Sequence, residues 1–202
     1  MGDDIRQQGS NRLAKAKGRR EQILSAAGAC ARQSGFHAAS MAKIARTAGI
    51  SVGQIYRYFD NKEAIIAAIV AEDVARVNAV FAFFDAAPGD LLANLQANLP
   101  EQIEICFETE RAALDLEILA EAARNQKVAV IVREADATQM TQAARLLEKL
   151  RKPDWTQDEL EIRAEILGII FDGLQTRAVR RPHQDRAALT EQLKAVIAHV
   201  LT

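Results

Sequence analysis

The groups best suited to contact chemistry in this chain lie close together between Ser40 and Lys62, in the string SMAKIARTAGISVGQIYRYFDNK. Gln54 and Arg57 carry an amide and a guanidinium that match the edges of bases in a duplex groove, Arg57 fitting guanine and Gln54 adenine. Each has a second use. Gln54 follows Ser51 by three residues, the spacing of a capping box that would occupy its side chain, and Arg57 suits a backbone phosphate equally well. His37, His183 and His199 are the acid–base candidates for an all-helical enzyme, but sequence places no two of them together. No nucleophile elbow, phosphate loop or paired metal-ligand spacing accompanies them, so no catalytic residue, metal or cofactor is expected.

The elements that must position these groups are punctuated residue by residue. Ser40 is an N-cap for a helix over Met41 to Ala48, and Gly49 supplies the left-handed residue with which such a helix ends. Ser51 and Gln54 cap the next helix, Val52 to Tyr58, while Ile50 before the cap staples onto Ile55. Ala45 is small where the two helices cross. Asp60 and Glu63 form a second box that opens another helix at about Asn61. Two short helices joined by a sharp glycine turn have the layout of a helix-turn-helix DNA reader.

The remaining text is helical as well, so the fold class is all-α with about nine helices. The first nine residues after Met1, up to about Ser10, are polar and expected to be disordered; a helix over Asn11 to Ser34 follows, with Gly35 as its stop. Further helices are expected at Asn61–Asp85, Leu91–Leu99, Glu101–Arg124, Gln126–Arg151, Thr156–Val179 and Asp185–Leu201, with Pro100 as a break. Thr156 and Glu159 form a capping box, with Trp155 and Leu160 as its staple. Ile162, Ile166, Ile170 and Leu174 recur every four residues, and Leu189, Leu193, Val196 and Val200 form a second stripe.

Charge divides the chain. Residues 1–62 hold eleven basic against four acidic side chains, and residues 63–202 hold fifteen against twenty-three, although the whole is only −1. Such asymmetry suits one phosphate-binding end; the alternatives are a non-specific DNA-binding protein, which would need a larger positive surplus, and, further off, an all-helical enzyme. Cys30 and Cys106 lie in apolar helical text and are expected to be reduced, buried and structural. The longest apolar run, Ala64 to Ala71, is too short to cross a bilayer, so no membrane partner and a cytoplasmic location are expected.

The combination Ala45, Gly49, Ile50, Ser51, Gly53, Ile55, Tyr56, Tyr58, Phe59, Lys62, Glu63 resembles the signature of the tetracycline-repressor-like (TetR) regulators, over roughly Arg19 to Ile69. The resemblance implies a DNA-binding domain at 1–62 and an effector-binding and dimerisation domain at 63–202. It offers Val52, Gly53, Gln54, Tyr56, Arg57 and Tyr58 to the groove, with Ser40 and Met41 from the preceding helix; Tyr56, Tyr58, Ser40 and Lys62 suit phosphates. Ala42 departs from members that carry an arginine there, and Lys15, Lys17, Arg19 and Arg20 form a basic arm. The resemblance also implies a homodimer through Ile166, Ile170, Leu174, Leu189, Leu193, Val196 and Val200, bound to a palindromic double-stranded operator. A small-molecule effector, of a kind the sequence does not name, would occupy a pocket lined by Phe81, Phe84, Phe107, Met140, Phe171 and Gln175.

Overall fold

The computed structural model describes the backbone of residues 2–202 and side chains from Lys15 onward. Among the described residues are nine α-helices and no strand: α1 (Gly2–Ala38), α2 (Met41–Thr47), α3 (Val52–Ile55), α4 (Lys62–Ala86), α5 (Leu91–Cys106), α6 (Thr109–Ala122), α7 (Gln126–Leu147), α8 (Gln157–Arg180) and α9 (Arg186–Leu201). A 3-10 turn, Glu148–Leu150, follows α7. They fall into two compact units, one comprising the chain up to Ile69 together with Glu117–Ala129, the other Val70–Leu116 together with Val130–Thr202.

The first unit is built around Ile23, Ala27 and Cys30 of α1, Ile44 and Ala45 of α2, Ile55 of α3, and Phe59 and Ile65, all essentially excluded from solvent. Each large aliphatic side chain so buried is worth about 1.5–3 kcal/mol against exposure. The helix α1 is drawn from Gly2, and the expectation of disorder up to about Ser10 concerns residues whose side chains lie outside the described ones. Gly35 does interrupt α1, with φ 75° and ψ 155°. A Cβ there would lie 3.2 Å from Glu117 Oε2.

Lys62 has a structural task that its sequence context does not show. Its ammonium donates to the Phe36 carbonyl at 2.7 Å and pairs with Glu121 at 3.6 Å, with only a fifth of its side chain exposed. Glu121 is buried, and its other oxygen has only Arg124 at 3.5 Å. Asn125 likewise donates to Glu63 at 3.2 Å; a backbone hydrogen bond, and then this one, hold the Glu63 carboxyl below its ordinary range. The cap of α4 is Asn61, whose Oδ1 accepts from Ala64 N at 2.8 Å, in place of the expected Asp60–Glu63 box.

In the second unit α5 runs straight through Pro100, where the sequence suggested a break. Leu99 and Ile103, four residues apart on one face, are both buried, so the apolar stripe continues across the proline and offsets its missing hydrogen bond, a cost of about 3 kcal/mol. The chain breaks instead at Phe107 and Glu108. The Thr156–Glu159 capping box is formed in both directions, at 3.3 Å and 2.7 Å. Trp155 and Leu160 are buried in the same core, and the Arg163 guanidinium stacks 3.8 Å from the Trp155 ring.

Lys62→Met removes the main counter-charge of a buried carboxylate and the donor to Phe36. Chemical denaturation should register a loss of about 1–3 kcal/mol. An unchanged unfolding midpoint would show that the pair is not structural.

Candidate nucleic-acid interface and internal cavity

The reading element is shorter and more tightly held than expected. Ala48 ends α2, the Gly49 amide donates to Arg46 O and the Ile50 amide to Ala45 O, and Gly49 takes φ 65°, which together make a Schellman motif. Two residues later Ser51 caps α3 by accepting from Gln54 N at 3.2 Å, while Gln54 Oε1 accepts from Ser51 N at 3.0 Å. Regular α-helix stops at Ile55; Tyr56 to Phe59 continue as tight turns closed onto Gln54 and Ile55 carbonyls. Ile55 and Phe59 are the buried side of this element.

Its other side faces solvent. Val52 is 44% and Tyr56 50% exposed, high values for large apolar and aromatic groups, and Gly53, Gln54 and Arg57 are exposed with them. The Arg57 guanidinium has no partner among the described residues. Nothing lies within 4 Å of where a Gly53 Cβ would project, so the protein's own packing does not demand glycine there. Gln54 keeps its amide nitrogen for an outside partner, its oxygen being used by the cap. Tyr58 and Met41 are half-buried against the core. Ser40 caps α2 by accepting from Lys43 N. Lys62, committed to Phe36 and Glu121, is not the free phosphate ligand that its position suggested. In the basic arm, the Arg20 guanidinium lies 4.5 Å from the Phe59 ring centroid, and Arg19 donates to Gln22. Gln22 in turn donates to the Ala48 carbonyl at 2.6 Å, bracing the turn from α1, a role no local motif announces.

The second unit encloses a cavity of about 280 Å³. Phe81, Phe84, Met140, Phe171 and Gln175 line it; Phe107 does not, being packed in the core beneath the Arg186 guanidinium. Apolar walls come from α4, α5, α7 and α8. Polar groups unmarked by any motif join them: Asp73, Gln102, Cys106, Arg111, Asp136, Glu165 and Asp172. Arg111 donates to Asp73 at 2.6 Å, and Arg76 reaches the same carboxylate at 3.0 Å. Burial pushes the Cys106 thiol up to about 11, which keeps it protonated. Burial, then the charge of Asp73, pushes Asp115 up to about 6, and one of its oxygens is buried without a hydrogen-bond partner.

Leu174 is buried in its own core and is removed from the expected partner-facing stripe. Steps of four residues rotate about 40° around a helix, so Leu174 has swung about 120° away from Ile162. The exposed apolar face of α8 is instead Ile162, Ile166 and Ile169, with Val196 exposed on α9. Ile170 is half-buried, and Leu189, Leu193 and Val200 are half-buried against the core. Asp172 and Arg177 form no ion pair with each other, and all three histidines are exposed. Among the described residues no group of His, Cys, Asp and Glu is arranged to hold a metal ion, and no helix is long and apolar enough to cross a membrane.

Residues 23–69, the span that contains the capped turn and its core, match the family of bacterial regulatory proteins of the tetR family. This amino-terminal module is a tetR-family module. It is 28% identical over 196 residues to the HTH-type transcriptional regulator UidR of Escherichia coli K12, covering 95% of this chain and 97% of that one. The fold is also that of Salmonella enterica GusR, with a TM-score of 0.75 at 24% identity over 91% of this chain and 95% of the other. A transcriptional regulator FadR from Bacillus subtilis, solved in complex with stearoyl-CoA, superposes with a TM-score of 0.72 at 19% identity, covering 88% and 96% of the two chains. The fold shared with these regulators thus extends through the second unit.

Asp115 supplies a pH test of this unit. Its folded-state value lies above the ordinary value of 3.8, so the fold favours the protonated acid, and stability falls as pH rises from about 4 to about 6. Asp115→Asn should raise stability at pH 8 by on the order of 1–3 kcal/mol and change little at pH 4. Thermal unfolding at both pH values measures this; a gain of equal size at both would remove the carboxylate as its cause.

Proposed function

We propose that this protein is a ligand-responsive transcriptional regulator, a repressor in its resting state, that binds a palindromic operator as a homodimer and is released by a small molecule. The observation that carries this reading is a short helix clamped at both ends, whose outward residues Val52, Gly53, Tyr56 and Arg57 are exposed and unused by the fold. Arg57 is its base-reading candidate and Gly53 the point at which the backbone approaches the duplex. Gln54 contributes through its amide nitrogen alone. One such element touches few base pairs, so two copies about 34–36 Å apart on a twofold axis are needed for specific affinity.

The surface that supports pairing is the exposed face of Ile162, Ile166, Ile169 and Val196, too apolar to be left in water without cost. The cavity supports a small-molecule effector. Helix α4 supports the coupling: Ile65, Ile66 and Ala68 are core of the first unit, and Val77, Val80, Phe81 and Phe84 line the cavity in the second. In our reading, domain 1–62 binds DNA and domain 63–202 binds effector and partner, with residues 117–129 assisting the first.

Selection from random duplexes should recover an inverted repeat. Arg57→Ala should then cost about 1–3 kcal/mol at one base pair, whereas equal losses on selected and scrambled DNA would reassign it to the backbone. Gly53→Ala should raise the unfolding temperature while weakening duplex binding, since alanine favours helix by about 1 kcal/mol and meets nothing within the protein. Unaltered affinity would exclude a close backbone approach. Sedimentation of Ile162→Glu/Ile169→Glu should show a folded monomer; a persistent dimer would place the interface elsewhere.

A further inference from the structure

The charges around the cavity are unequal, and their arrangement bears on what enters it. Five ionisable side chains line it: Asp73 from α4, Arg111 from α6, Asp136 from α7, and Glu165 and Asp172 from α8. Arg111 is consumed by Asp73, which Arg76 also contacts. Asp136, Glu165 and Asp172 remain, and none makes an ion pair with another described residue. All three line the cavity yet are exposed, so they stand where it meets solvent. Behind them the walls are apolar and aromatic: Phe81, Phe84, Leu146 and Phe171.

We propose that the cavity takes an organic cation, an apolar or aromatic body with one ammonium or amidinium group, held by Asp136, Glu165 and Asp172 at its mouth. The proposal rests on the effector reading above and names its ligand class. Three like charges at one opening repel one another, and Asp172 is held above the ordinary carboxylate range by burial and by Asp136 and Glu165, with no basic group opposing them. A cation seated there relieves that repulsion and lets the carboxylates ionise fully. An anionic ligand meets the opposite: it would approach three carboxylates and find the one guanidinium of the wall already paired. A neutral ligand gains the apolar walls alone. The same rim concentrates cations at the opening, so association is faster at low salt.

Calorimetric titration of the full chain with 4-phenylbutylamine, 4-phenylbutanol and 4-phenylbutyrate separates these cases, because the three share one body and differ in head group. The amine should bind at least about tenfold more tightly than the alcohol, and the carboxylate more weakly than either. Asp136→Asn/Asp172→Asn should remove most of the amine's advantage without changing the affinity for the alcohol. Ala143→Phe, which fills the cavity, should abolish binding of amine and alcohol together.

Equal or tighter binding of alcohol or carboxylate overturns the proposal, as does an amine preference that survives loss of the two aspartates or absence of binding by all three probes. Duplex affinity measured without probe reports on the regulator reading separately. If specific duplex binding is intact while the amine fails, only the ligand class is refuted.

Discussion

A four-residue helix cannot hold itself together in water, since nucleating its first turn costs more than its few hydrogen bonds return. Everything presented by α3 therefore depends on what clamps it. Gly49 in the left-handed region and the paired Ser51–Gln54 bonds fix its start, Ile55 and Phe59 anchor its inner side, and Gln22 ties the preceding turn back to α1. The clamp leaves the opposite side free. That division, inner residues spent on position and outer ones left unspent, separates an element able to meet a foreign surface from one that is merely packed.

Much of this was legible in advance because the relevant signals are local. Caps and glycine turns act within about four residues, so Ser40, Gly49, Ser51, Thr156 and Glu159 disclosed their roles before any coordinates. Misreadings came where distant segments meet. Lys62 looked like a surface cation because nothing near it in sequence announces Phe36 or Glu121 as partners. Pro100 looked like a stop because the burial that carries the helix past it arises from neighbours far along the chain. Leu174 and Phe107 were assigned from type and spacing, neither of which tells a core-facing side chain from a partner-facing or cavity-facing one. The carboxylates at the cavity mouth had no motif at all, being assembled from two helices, α7 and α8.

The cavity and the reading helix obey opposite rules. On α3 the cap and the backbone are satisfied, which holds the outer face in place. In the second unit several polar groups are left under-compensated: Asp115 has an orphaned oxygen, and burial and like charges oppose ionisation of Asp172. Groups of that kind cost stability in an isolated chain and are the ones whose energy changes most when something else arrives. Rigidity in one unit and under-compensated charge in the other thus occupy separate cores.

The first unit is not one continuous stretch of chain. Its core and ion pairs draw on residues 117–129, where Glu121 meets Lys62, Asn125 meets Glu63 and Val128 is fully buried. A gene fragment ending near Ile69 would encode all the exposed side chains of α3 yet lack part of the scaffold beneath them. Recombination between relatives would therefore preserve this module only when both segments travel together, which ties the inheritance of the capped turn to a piece of the region that follows it.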